Sequence, residues 1–181
     1  MYVPSQFEEL RTEVLHQLIK QHSFGTLVTL DDSGLNANHI PFEIDPEPAP
    51  FGTLRAHVAR SNPVWRNASN AVEPLVIFQG AQSYISPSWY ATKQASEKVV
   101  PTYNYMVVHA YGELRIIEDP AWLLGLITRL TNRHEASRAA PWKVSDAPGI
   151  LSTSYCRSSS GSRSPLHVWW ASGRSVKTGR L

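Results

Sequence analysis

A mainly β protein, folded as an antiparallel barrel with helices at its margins, is the fold class that this sequence predicts. Three observations predict it. Short β-branched and apolar runs dominate residues 25–117. Turn-forming residues interrupt them at Asp31-Asp32-Ser33-Gly34, at residues 45–50 and at Pro87. Helical periodicity is confined to the start of the chain and to residues 119–130.

Taken in order, Ser5 and Glu8 have the spacing of a capping box, and Phe7, Leu10, Val14 and Leu18 recur at helical spacing, so a first helix is expected to run to about His22. Gly25 to Leu30 and Leu35 to Glu43 read as a hairpin about the Asp31–Gly34 turn. The proline-rich residues 45–50 cannot sustain a ladder of backbone hydrogen bonds and read as an exposed loop. Thr53 to Val58 is a strand that gives way to a helical turn containing Trp65. Leu75 to Phe78 is a buried strand, continued to Ser86 across a break at Gly80. Residues 101–117 are extended, and Asp119-Pro120 opens a helix whose Trp122, Leu123, Leu126, Ile127 and Leu130 share a face.

At 181 residues the chain fits one domain with one core. Its only cysteine, Cys156, cannot form an internal disulfide, and the first residues lack the basic start and apolar run of a secretory signal, which points to the cytoplasm. No apolar run approaches the roughly 20 residues that span a bilayer, so no membrane role is expected. The formal charge of +2 hides an asymmetry. Residues 1–148 hold twelve of the 17 basic residues and all 15 acidic ones, a net −3, while residues 149–181 carry +5. The body therefore lacks the basic face that nucleic-acid binding usually needs.

The chemistry concentrates in residues 78–112. Tyr84, Trp89, Tyr90, Tyr103 and Tyr105 offer stacking surfaces for a planar ring, and Ser83, Ser86, Thr102 and Asn104 can address a ring edge or a polyol. On strands such aromatics serve as core at least as often. Upstream, His57, Arg60, Ser61 and Asn62 gather donors and positive charge at a strand end, as an anionic group such as phosphate requires. His39 and His109 lie within predicted strands and are candidate ring-edge donors, whereas His16, His22 and His134 read as surface or helix-end residues. No histidine pair has metal-site spacing, no C-x-x-C occurs, and neither glycine-rich phosphate loop nor G-x-S-x-G elbow is present.

Six segments resemble the PaiB family of FMN-binding split-barrel proteins, often described as negative transcriptional regulators. They are Met1-Tyr2-Val3-Pro4 with Phe7; Asn38-His39-Ile40-Pro41; residues 54–63 with Trp65; residues 84–90 with Lys93; residues 100–105 with 108–112; and His134-Glu135 with residues 141–148. The resemblance implies a six-stranded Greek-key barrel that forms a homodimer, with FMN in clefts at the subunit interface. It implies that residues 57–62 face the phosphate, and that residues 84–93, Lys93 among them, and 102–105 line the ring and ribityl chain, from one or both subunits. The same barrel class includes FMN-dependent oxidoreductases such as pyridoxamine phosphate oxidases and flavin reductases. It also includes haem-handling proteins, for which His39 or His109 would be the candidate ligand. The family often has Gly-Pro at Gly80-Ala81 and Trp at Tyr103.

The resemblance covers residues 1–148, the expected FMN-binding domain; residues 149–181 depart from it. Family members end in a strand of the type IVGxEI and a segment like GKWKxSQNR. Trp169 and Trp170 can be encoded only as TGG TGG, and permitted bases elsewhere let the adjacent reading frame of residues 157–181 read LLVGIEIPLACLVGKWKVSQNRPS. A tail translated out of frame after about Pro148, and loosely ordered, is therefore expected.

Overall fold

A computed structural model describes residues 4–67, 72–90, 99–147 and, as backbone, 166–179. The chain opens with a 3-10 turn at Ser5–Phe7 and helix α1 at Thr12–Gln21. The expected capping box does not start this helix: Ser5 belongs to the separate turn, and α1 begins after Arg11. Leu15 and Ile19 form its buried face, with Leu18 packed beside them, while Leu10 and Val14 are exposed. His16 is also buried rather than on the surface, and its Nε2 donates to the Phe51 carbonyl at 2.8 Å. Sequence period alone could not find this bond, because its acceptor lies 35 residues away.

Strands β1 (Phe24–Asp31) and β2 (Gly34–Pro41) form the expected hairpin, with Leu30 opposite Leu35. Asp31 Oδ1 accepts from Ser33 N at 2.8 Å and Ser33 Oγ at 2.6 Å, and Gly34 supplies the positive φ of 114° that closes the turn. Strand β3 (Glu43–Asp45) pairs with β4 (Thr53–Ala59), and a short helix α2 (Val64–Asn67) follows. Strands β5 (Leu75–Ile85) and β6 (Thr102–Gly112) form a long antiparallel ribbon with a bulge between Gln79 and Gln82. The bulge stands at the expected glycine break. Strand β7 (Arg115–Ile117) leads to helix α3 (Pro120–Glu135), whose N-cap Asp119 accepts from Ala121 N at 2.9 Å.

One curled antiparallel sheet runs β2-β1-β5-β6-β8-β4-β3, with β7 also paired to β8 (Leu166–Gly179). Eight strands are thus present among the described residues, where the resemblance implied six; β3 and β7 have three residues each, which leaves six long ones. The sixth long strand comes from the departing tail. Residues 149–165, 180 and 181 lie outside the described residues, and the backbone of 166–179 forms β8. The physical reason is the sheet itself: β4 and β6 each present an edge of backbone donors and acceptors, and β8 pairs Thr53–Ala59 with its first half and Val107–Gly112 with its second.

Inside the curl, Leu27, Val76, Phe78, Val108, Ala56 and Val58 are buried, and Phe42 meets Phe78 edge to face at 5.4 Å. α1 covers this core. On the outer side, α3 buries Leu123, Leu126 and Leu130 in a second cluster with Ile117, Trp122 and Ile127. Arg129 anchors it to β3 by a fork onto Glu43, at 2.7 and 2.8 Å. Arg55 holds Asp45 at 2.5 Å, so the acidic residues of this edge strand are matched by cations from β4 and α3.

Candidate functional site

The β5–β6 ribbon sorts the predicted residues by side. In a strand, alternate side chains face opposite ways and register partners share a face. Gln82 pairs with Tyr105 and Tyr84 with Tyr103, which puts these four on one face; Tyr103 Oη donates to Gln82 Oε1 at 3.0 Å across it. Ser83 pairs with Asn104 and Ile85 with Thr102, which puts the hydroxyl and amide residues on the other. Tyr90 leans over this second face, with Oη 3.4 Å from Thr102 Oγ1. Ser86 and Ser88 bond each other at 2.7 Å in the 3-10 turn Pro87–Trp89. Lys93 lies outside the described residues.

A groove of about 310 Å³ runs along the first face, within the range of small-molecule sites. Tyr103, Tyr105, Gln79, Gln82 and His109 line it. Gly80 is part of its lining: a Cβ there would stand 3.1 Å from Met106 Cβ, so a side chain would crowd the wall. Gln79, Gln82 and Met106 were not singled out from sequence. The period-two step back from Tyr84 to Gln82 carried that signal, and the bulge hid its continuation to Gln79.

Both candidate strand histidines belong to the outward side of the sheet. Register places His39, Thr26, Ile77 and His109 in one row across β2, β1, β5 and β6. Their environments differ. The His39 ring bonds Thr26 Oγ1 through Nδ1 at 3.0 Å and is exposed. His109 Nδ1 is shut off from solvent and has no hydrogen-bond partner among the described residues, and Tyr111 packs against the ring at 6.4 Å. Burial holds the His109 imidazole below its ordinary pKa, with the charge of the amino terminus adding to the effect.

The predicted phosphate segment lies elsewhere. His57 is on the outward side of β4, in a cavity of about 410 Å³ with Thr131, His134, Glu135 and Trp142. Its Nδ1 also lacks a partner among the described residues, and burial lowers its pKa. Arg60 and Ser61 are exposed in the turn after β4, where the Arg60 carbonyl accepts from Trp65 Nε1 at 3.1 Å. Asn62 is committed to the fold at both ends of its amide: Nδ2 donates to Asn38 Oδ1 at 2.7 Å and Oδ1 accepts from Val64 N at 3.0 Å. Since β8 separates β4 from β6 in the sheet, one chain does not bring His57 into the groove of Tyr103 and His109. A larger cavity of about 550 Å³, between α3 and residues 143–147, contains none of the candidate site residues, although Lys143, Val144, Ser145 and Ala147 belong to the family-like segment 141–148. Size and chemistry disagree here, and the aromatic groove has the chemistry.

An outward groove lined by two tyrosines, two glutamines and an imidazole fits a flat heteroaromatic ring. The family model described as "Putative FMN-binding domain" matches residues 1–158. The chain belongs to this family. It is 33% identical over 141 residues to protease synthase and sporulation protein PAI 2 of Bacillus subtilis (strain 168), covering 78% of this chain and 65% of that protein, just under two thirds of its length. It is also 33% identical over 157 residues to the uncharacterized protein YKL070W of Saccharomyces cerevisiae, covering 76% and 92%. The structure of the FAD and heme binding protein from Mycobacterium smegmatis superposes with a TM-score of 0.64 at 15% identity, over 96% of this chain and 72% of that one. That likeness shows the fold, a split barrel. The chain is an FMN-binding flavoprotein of the split-barrel class, as the PaiB resemblance implied. Among the described residues, no helix is long and apolar enough to cross a membrane.

Proposed function

We propose that this chain acts as an FMN-binding homodimer of the PaiB type, cytoplasmic, with a role in negative transcriptional regulation. The observation that carries the dimer is the two-sidedness of the ribbon. Tyr103 and Tyr105 line a groove on one face while Thr102 and Asn104 point from the other, and His57 to Asn62 stand across the sheet. Two subunits facing each other would bring all three groups to a single FMN. The resulting assignment gives the ring to the groove residues together with Tyr84, Trp89, Tyr90 and Lys93. The ribityl chain goes to Ser83, Ser86, Thr102 and Asn104, and the phosphate to His57, Arg60, Ser61 and Asn62. Exposed Tyr84, Trp89 and Tyr103 supply apolar surface for the second subunit.

The regulatory role rests on the likeness to the PaiB family. With a body of net charge −3, contact with DNA would be indirect or would use the basic tail. A second reading, an FMN-dependent oxidoreductase, is favoured by the open side of the groove. Tyr103 and Met106 are 48% and 44% exposed, which leaves a ring bound there accessible to a reductant. FMN itself supplies the redox chemistry in that case.

The deciding experiment is purification followed by FMN titration. A yellow protein that releases fluorescent flavin on denaturation is expected, and a colourless one that takes up no added FMN overturns the reading. Steady NADPH oxidation with flavin bound would select the oxidoreductase. A salt-sensitive shift of promoter DNA without turnover would select the regulator.

A further inference from the structure

We infer that Arg66 is the second cation of the phosphate site, joining Arg60 and Ser61 in holding the phosphate monoester of FMN. This rests on the FMN reading above and deepens it. The sequence pattern points to His57, Arg60, Ser61 and Asn62 and stops short of Arg66. The structure leaves few of those four free. Asn62 commits both ends of its amide to Asn38 and Val64. His57 stands in the cavity beside His134 and Trp142, where burial favours its uncharged form. Arg60 and Ser61 are the two left exposed. A phosphate monoester carries a charge of about −1.5 to −2 at neutral pH, more than one guanidinium matches.

The arginines whose side chains are described fall into two groups. Arg11, Arg55, Arg115, Arg129 and Arg138 each form an ion pair with a glutamate or aspartate, and Arg133 donates to the Lys20 carbonyl. Among the described residues, Arg60 and Arg66 are the two arginines whose side chains meet no oxygen partner. They come together at Trp65. Its indole Nε1 donates to the Arg60 carbonyl at 3.1 Å, and its ring carries the Arg66 guanidinium 4.3 Å from the centroid. Trp65 in turn packs against the barrel core, so the plate that holds Arg66 is itself anchored. Stacking on an indole holds a guanidinium flat but uses none of its N–H donors, which stay at the rim for an oxyanion. Arg66 thus stands one indole away from the Arg60 backbone, a gap that an arginine side chain can span. Its planar fork suits phosphate oxygens, and its charge is the one that a neutral His57 does not supply.

The test compares wild type, Arg66→Ala and Arg66→Lys in fluorescence titrations with FMN and riboflavin. Arg66→Ala is expected to weaken FMN about tenfold and to leave riboflavin, which lacks the phosphate, within about twofold of wild type. Lysine keeps the charge without the fork and is expected to weaken FMN about threefold. Arg66 is exposed, so the melting temperature of either variant without ligand should match that of wild type. Wild-type FMN affinity in Arg66→Ala, equal losses for FMN and riboflavin, or a lysine variant no better than alanine overturns the inference and leaves the FMN reading standing. A wild-type chain that binds no flavin overturns both.

Discussion

Asn62 Nδ2 donates to Asn38 Oδ1 at 2.7 Å, which ties the turn after β4 to the opposite edge strand β2. Asn38 in turn donates to Asn36 Oδ1 at 2.8 Å, and Asn62 Oδ1 accepts from Val64 N at 3.0 Å. These side-chain amides fasten the turn after β4 to β2, across the curl of the sheet, beside the backbone link from β2 to β3 through Phe42. Asn62→Ala removes two of these bonds, with an expected cost of about 1–2 kcal/mol. The melting temperature should fall by roughly 2–8 °C for a chain of this size. A thermal melt followed by circular dichroism checks it, and an unchanged midpoint counts against this role.

Arg60 is exposed beside that turn, at the end of the segment assigned to the phosphate. Arg60→Ala should weaken FMN by about 10- to 100-fold, the loss of a hydrogen bond to a charged group. Riboflavin, which lacks the phosphate, should lose little. Parallel titrations of both ligands test this, and equal losses refute the phosphate role.

His57 is held below its ordinary pKa of 6.5 by burial. The unfolded chain takes up a proton near 6.5 that the folded chain still refuses, so the native state binds fewer protons. Its contribution to stability is present above about 6.5 and is lost as the pH falls through the lower, folded value. His109 acts in the same direction. His134 and Glu135 of α3 line the same cavity as His57 and share its local field. Melting temperatures taken between about pH 7.5 and 5.5 should fall with pH, and less steeply in His57→Gln than in wild type. Identical slopes would sink the prediction.

Trp89 is 68% exposed at the tip of the ribbon, beside exposed Tyr84 and Tyr103. Trp89→Asp should shift a dimer toward monomer and weaken FMN binding with it, since the proposed cofactor site spans two subunits. Sedimentation with and without FMN measures both effects. A variant that stays dimeric with unchanged affinity shows that this surface is not the interface.

The tail invites a genetic check. Sequencing the encoding DNA should find a single-base insertion or deletion near codon 149 that restores the ending GKWKVSQNR. A clean reading frame there rejects the shift. If it is present, the frame-restored chain should bind FMN more tightly than the present one.

Most elements were legible because their signals are local. The Asp31–Gly34 turn, the Asp119-Pro120 helix start and the apolar runs of β4, β5 and β6 each act within a few residues, where propensity and period decide. The miscast α1 start and the buried His16 depend on partners elsewhere in the chain, and β8 depends on two edges that exist only once the sheet has curled. Family membership and the FMN assignment were likewise present in the motifs of residues 1–148.

The sequence by itself thus determined a mainly β fold, the family and the ring-and-phosphate vocabulary of the site. Tertiary structure decided how those residues divide. Strand pleating sent Tyr103 and Thr102 to opposite faces, the bulge after Gln79 brought Gln79 and Gln82 to the lining of one groove, and pairing left His39 bonded to Thr26 while His109 Nδ1 has no partner among the described residues. Which side a residue faces, and what meets it there, is fixed by register between distant strands, a relation that residue types along one chain do not record.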